Sequence, residues 1–227
     1  MTHTLIGMIY KSLAYLDFMV QSMDSNSLIV ANDATPEVLE ALPKCGIPFV
    51  EYRDNSHDYY LNRVYRAWNY GARCAETDLI VFFNSDMYGA SGWLENLLQS
   101  VDGYSIPCSR LVESGKQPSG LHGITKDFGR SPETFNKAGF EQYATEISYD
   151  CQLSGGLYMP SVFDRKEFLK YGGYPEGNVY KGGIGKHGTG FVRSGDDHFF
   201  HHVMKHKRHV TVANSVVYHF QTGEMDA

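Results

Sequence analysis

Four carboxylates and one histidine stand where chemistry could be done. Asp86 follows the apolar run 79–83 through Asn84-Ser85. A buried strand that ends this way delivers a carboxylate to the edge of a sheet. There one carboxylate can hold a divalent cation whose other ligands are water and phosphate oxygens. The plainer reading is a polar turn after a strand, which is ordinary loop chemistry. Asp33 holds the equivalent place after the apolar run 28–31. Asp196 and Asp197 open a helical pattern, where the positive end of the helix dipole favours negative charge. Neighbours on a helix point about 100° apart, so only one of the two can face a substrate. The alternative is acidic decoration of a helix start. His219 lies inside the apolar segment 217–220, where an isolated histidine is more often a satisfied core residue. His198, His202 and His206 recur every four residues, a spacing that can bind zinc. Without an H-E-x-x-H pattern they read as a solvated or partly packed helix face.

These groups need elements to position them. Segments 4–10, 28–31, 48–52 and 79–83 read as strands, the last a continuous apolar run typical of a sheet covered on both faces. Helical spacing follows the first strand at Leu13, Leu16, Met19, Val20 and Met23. It recurs at Leu61, Val64, Tyr65, Trp68 and Ala72, and at Trp93, Leu94, Leu97 and Leu98 after a Ser91 cap. Thr35-Pro36 is the N-cap and first position of a short helix to Leu42. Strands alternating with helices imply βαβ units and a mostly parallel sheet, whose ligands bind at the carboxyl ends of the strands. Those ends are Tyr10-Lys11, Asn32-Asp33 and Asn84-Ser85-Asp86.

The second half is less regular. Residues 110–130 read as a loop, 132–144 as a helix, 157–160 as a strand after Gly155-Gly156, 164–171 as a short helix, 196–206 as a helix and 210–220 as one or two strands. The run 172–195 holds nine glycines, and reads as a lid over a site, since a long structureless loop in a compact domain is usually functional, or as a tolerated surface loop. Lys181, Lys186, His187 and Arg193 lend it positive charge suited to a diphosphate. It is no P-loop, because His187 follows Lys186 and Tyr180 stands where a glycine is required. Tyr10, Tyr158, Tyr174 and Tyr180 are candidates to stack on a base or sugar ring, or are interior material.

The 227 residues carry 20 Lys+Arg and 26 Asp+Glu, a net charge of -6. That excludes a chain that binds nucleic acid non-specifically through a basic stripe. With 42% hydrophobic residues the chain can bury a core without disulfides. Cys45, Cys74, Cys108 and Cys151 form no C-x-x-C pair and read as free buried thiols. No segment approaches a membrane span and none resembles a secretory leader, so a cytoplasmic setting is expected. A dehydrogenase of the dinucleotide-binding type lacks its G-x-G-x-x-G.

The order of these pieces resembles a family 2 glycosyltransferase of the GT-A fold. The segment 28–35 is similar to the family's strand-then-Asp element. Ala67-Trp68-Asn69-Tyr70-Gly71-Ala72 resembles the helix before the metal strand, and Phe83-Asn84-Ser85-Asp86 the Asp-x-Asp motif. Residues 153–160 resemble the glycine-containing strand near the sugar. Gly173-Tyr174-Pro175-Glu176 and Gly195-Asp196-Asp197 resemble the glycine-aromatic segment and the acidic motif, and His219 the C-terminal histidine. This chain departs from the pattern at Ile9-Tyr10-Lys11-Ser12, which lacks the usual Pro and Asn, at Asn84 in place of Asp, and at Asp196 in place of Glu.

The resemblance implies an α/β fold with a mostly parallel central sheet flanked by helices. It implies a single GT-A domain over 1–227, with a nucleotide-sugar-binding half at 1–102 and a smaller, irregular half for acceptor and catalytic base at 103–227. It implies Asp197, with Asp196 beside it, as the catalytic acidic pair. Tyr10, Asp33, Asn84, Ser85, Asp86, Gly155 and Gly156 become the donor-binding residues, and Asp86 and His219 the ligands of Mn²⁺ or Mg²⁺. The expected activity is inverting transfer from a nucleotide-sugar, UDP-sugar first, to the hydroxyl of a glycan or another acceptor. The alternatives are a catalytically silent carbohydrate- or nucleotide-binding module and a sugar-phosphate nucleotidyltransferase. The latter would need a Gly-rich basic loop where Tyr10-Lys11-Ser12-Leu13-Ala14 stands.

Overall fold

The computed structural model describes residues 1–56, 60–176, 195–221 and 223–226. Ten strands join in one sheet. Strand β1 (His3–Ile9) lies between β2 (Ser27–Asn32) and β4 (Leu79–Asn84), with β3 (Phe49–Tyr52) outside β2. All of these pairings are parallel. Met8 pairs with both Val30 and Asn84, so Tyr10, Asn32-Asp33 and Ser85-Asp86 leave the sheet at one edge.

Beyond β4, strand β9 (Ser161–Asp164) inserts antiparallel against both β4 and β6 (Ser105–Glu113). Strand β10 (Arg208–His219) runs parallel to β6 and antiparallel to the short β5 (Met87–Gly89). The short β7 (Ile124–Thr125) pairs with β6, and β8 (Gln152–Ser154) with β10.

Strand alternation divides the core. Leu5, Ile9, Val81 and Phe83 face α1 (Leu13–Val20), α2 (Pro36–Ala41), α4 (Trp93–Gln99) and α5 (Lys137–Ile147). Ile6, Val30 and Phe82 face α3 (Tyr60–Cys74) and α6 (Arg165–Lys170), with Trp68 and Phe168 fully buried between. Each large side chain buried this way stabilises by about 1.5–3 kcal/mol. Helix α3 comes close to the sheet because a Cβ on Gly71 would stand 2.8 Å from Ile6 and Val30. The expected α/β architecture is the one observed.

Several local expectations are corrected. The expected loop 110–130 begins as strand, since β6 continues to Glu113 with Leu111 and Val112 buried. Pro132–Thr134 is a 3₁₀ turn, and α5 starts later, where Asn136 Oδ1 accepts from Gly139 N–H at 3.0 Å. Residues 157–160 are not a strand. Gly155 and Gly156 take φ of +78° and +137°, which turns the chain between β8 and β9. Gly92, not Ser91, caps α4. The expected helix 196–206 is the short α7 (Gly195–His198) followed by a π-helical turn at Phe199–Val203. The histidine face is therefore not regular: His198 stacks on His202 at 4.9 Å, and His206 Nε2 meets Glu167 Oε1 at 3.2 Å. All four cysteines are free, but only Cys108 is buried, and Cys151 is exposed. The glycine-rich run lies, apart from its ends, outside the described residues.

Candidate active site

Asp86 sits in the turn from β4 to β5 and is only 4% exposed. Register explains its partner. His219 is the last residue of β10, opposite Met87 on one side and Glu113 on the other. Its Nε2 stands 3.2 Å from Asp86 Oδ2 and its Nδ1 3.0 Å from Glu113 Oε1. Burial works against an imidazolium here, but Asp86 and then Glu113 outweigh it and hold the His219 pKa up at about 9. Burial likewise opposes the Asp86 charge, and the His219 cation prevails, keeping the carboxyl below its ordinary value. Once deprotonated, an imidazole fixed on its far side by a carboxylate is the arrangement found behind metal-ligating histidines. A carboxylate oxygen beside an imidazole nitrogen suits a divalent cation, so Asp86 and His219 fit the expected group. Among the described residues no three His, Cys, Asp or Glu side chains converge on one cation position.

Asp33 follows β2 in a left-handed backbone conformation (φ +49°), a region where Asp is among the few common non-glycine residues. Its Oδ1 accepts from Asp54 N–H at 2.9 Å and its Oδ2 pairs with Arg63 of α3. Around it, Asn32 Oδ1, Thr35 Oγ1 and Arg63 Nε are buried without a hydrogen-bond partner among the described residues. Buried polar atoms are nearly always paired, so this group asks for a ligand. Tyr10 is half-exposed at the same edge.

The acidic pair splits as helix geometry requires. Asp196 Oδ1 accepts from Tyr65 Oη at 3.1 Å, and Gly195 permits this approach because a Cβ there would lie 2.4 Å from the Tyr65 ring. Burial, then the Asp196 charge, pushes the Tyr65 pKa up. Asp197 instead accepts from Tyr158 Oη at 2.6 Å, with His201 Nε2 at 3.1 Å from the same hydroxyl. The Tyr158 ring stacks on His209 at 5.4 Å and packs on Phe200 at 5.0 Å. Burial pushes the His209 pKa down to about 4, so this packing face is neutral at pH 7.

The structure thus gathers Asp86, Ser85, His219 and Tyr10 at one edge, with Asp33 two strands away. It holds Asp197 in a separate cluster near the start of β10. Gly155 and Gly156 serve that end of the strand: Gly155 N–H donates to His209 C=O at 2.8 Å, and a Cβ on Gly156 would lie 1.8 Å from Thr211 Oγ1. Tyr174 is core, 1% exposed, and Tyr180 lies outside the described residues. Glu113 and Arg63 were not signalled by motif or spacing, because strand order alone brings Glu113 to His219. A cavity of about 490 Å³ lined by His3, Asp24, Leu79 and Leu98 opens at the amino end of β1, and none of the candidate residues lines it.

The family model described as Glycosyl transferase family 2 matches residues 23–153. Among solved structures, S. aureus TarS 1–349 matches with a TM-score of 0.61 at 11% identity, covering 96% of this chain and 60% of that one. GalNAc-T7 with UDP, GalNAc and Mn²⁺ gives 0.60 at 12% identity over 96% of this chain and 43% of that one. S. aureus TarS 1–349 in complex with UDP-GlcNAc gives 0.57 at 12% identity over 98% and 61%. At such identities the likeness is one of fold, and this chain spans less than two thirds of each of the three. No curated protein sequence matches the chain.

Proposed function

The chain belongs to glycosyltransferase family 2, and from that premise we propose that it moves a sugar from a UDP-sugar to an acceptor hydroxyl with inversion at the anomeric carbon. The observation that carries this reading is the carboxyl edge of the sheet, where Asp33 and Asp86 leave strands on either side of β1 and His219 meets Asp86. UDP and Mn²⁺ are favoured because solved structures of this fold contain them.

Asp33, with the unpartnered atoms around it, would take the base, with Tyr10 as the aromatic group at hand. Asn84 and Ser85 would bond ribose or phosphate oxygens. Asp86 and His219 would hold the divalent cation, Mn²⁺ or Mg²⁺, whose chemistry is to offset the charge of the departing diphosphate. Asp197 would take the proton of the acceptor hydroxyl as that oxygen bonds to the anomeric carbon. The bond from that carbon to the diphosphate breaks on the opposite face, the nucleoside diphosphate leaves with the electron pair, and the configuration inverts. General-base help of this type is worth about 10²- to 10⁴-fold. Tyr158 is the positioning residue: it donates to one oxygen of Asp197. A glycan hydroxyl is the first acceptor class.

A donor panel tests the reading. With Mn²⁺ present, UDP-sugars should bind and be slowly hydrolysed, ahead of GDP- and dTDP-sugars. Neither binding nor turnover across the panel would refute it.

A further inference from the structure

After β10 the chain folds back over the site edge. Phe220 N–H donates to the Asp86 carbonyl at 3.1 Å, and Gly223 N–H to Asp86 Oδ2 at 2.9 Å. Gln221 is pinned to the Gln117 backbone by bonds of 3.0 and 2.9 Å. Glu224 then enters the edge and is only 8% exposed. Its Oε1 accepts from Tyr10 N–H at 2.9 Å and from Ser85 Oγ at 3.0 Å. Its Oε2 accepts from Lys11 N–H at 2.5 Å and Ser12 N–H at 2.7 Å.

Four donors on two chain segments thus converge on one carboxylate. The three amides are consecutive and lie after the last residue of β1 and before the first residue of α1. Successive backbone N–H groups in a turn form a concavity that binds anions. A carboxylate has two oxygens and about four lone-pair sites, and here all four are used. A phosphate group offers the same negative charge and acceptor oxygens to the same donors. The C-terminal segment therefore engages three of the residues expected to bind the donor, Tyr10, Ser85 and Asp86.

We propose that the amides of Tyr10, Lys11 and Ser12 with the Ser85 hydroxyl form a site for a phosphate group of the nucleotide donor, and that Glu224 is its tethered occupant. Phosphate enters only when the C-terminal segment withdraws, and withdrawal also releases Asp86 Oδ2 from Gly223. The identity of the phosphate bearer rests on the nucleotide reading above, while the competition between Glu224 and an anion does not. A site filled by an internal ligand shows an apparent affinity reduced by the fraction of time it stands vacated.

The test uses the full chain, with inorganic pyrophosphate titrated in metal-free buffer and UDP titrated separately with Mn²⁺ present. Glu224→Gln and Glu224→Ala should each bind pyrophosphate about tenfold more tightly than the parent chain. The backbone amides of Tyr10, Lys11 and Ser12 should shift on titration. Ser85→Ala in the Glu224→Ala background should return part of the gain. Tighter pyrophosphate without UDP binding supports the site and removes the nucleotide reading. UDP binding with pyrophosphate affinity equal or weaker in both Glu224 variants, each with an unchanged unfolding midpoint, overturns the site and leaves the nucleotide reading standing. If neither titrant binds any variant, both fall.

Discussion

Replacing Tyr158 by Phe deletes one hydroxyl and leaves a ring that keeps its stacking on His209 and its contact with Phe200. What is lost is a 2.6 Å bond to the Asp197 carboxylate. Hydrogen bonds to charged groups contribute about 1.5–3 kcal/mol. If one half to all of that stabilisation serves to hold the carboxylate in its working position, turnover falls about 4- to 160-fold, at about 1.36 kcal/mol per decade. Donor affinity should hold, because Tyr158 and Asp197 lie in a different cluster from Asp86 and Asp33. The comparison is Tyr65→Phe, which removes the 3.1 Å bond to Asp196. That variant should lose about 1.5–3 kcal/mol of stability and keep its turnover within about twofold, since Asp196 is turned to α3. Steady-state kcat and donor KM, with unfolding midpoints as control, read both variants. Unchanged kcat in Tyr158→Phe, or an equal fall in Tyr65→Phe, would refute the assignment of the two carboxylates.

Two further outcomes follow from the same geometry. Glu113→Gln takes away the carboxylate on the Nδ1 side of His219, and Mn²⁺ affinity measured by calorimetry or paramagnetic resonance should fall about 10- to 100-fold; unchanged affinity would remove His219 from the proposed metal site. His209 is protonated near its ordinary 6.5 when unfolded but near 4 when folded. The unfolded chain thus binds the extra proton between those values, so stability present above pH 6.5 is lost as pH falls towards 4, on the order of 3 kcal/mol. Urea unfolding at pH 7 and pH 5 should show a shallower loss in His209→Gln than in the parent chain, and equal losses would contradict the burial argument.

The first half was legible because its signals are local. The continuous apolar run of β4 is typical of a strand covered on both faces, and the polar residues that follow such a strand emerge at the sheet edge, as Ser85 and Asp86 do. The spacing of Leu61, Tyr65, Trp68 and Ala72 gave α3 in the same way. The second half was less legible because its signals are tertiary. Strand β6 carries Ser105, Pro107, Ser109 and Arg110, poor strand formers that are held by pairing with β10 and β9. Glu113 becomes a site residue only because β10 lies between β6 and β5. Likewise Glu224 reaches Tyr10 across 214 positions of chain, and no periodicity encodes such a contact. The π-helical turn after Asp197 also broke the histidine spacing that an ordinary helix would have kept.

The central claim is that Asp197 takes the acceptor proton in a sugar transfer whose donor is held at the carboxyl edge of the sheet. Asp197→Asn keeps the shape of the side chain and can still accept from Tyr158, but it supplies no base. Hydrolysis of a UDP-sugar with Mn²⁺ should fall by at least about 10²-fold in Asp197→Asn, while the donor binds as tightly as before. Turnover retained in that variant, or lost together with donor binding, would contradict the account.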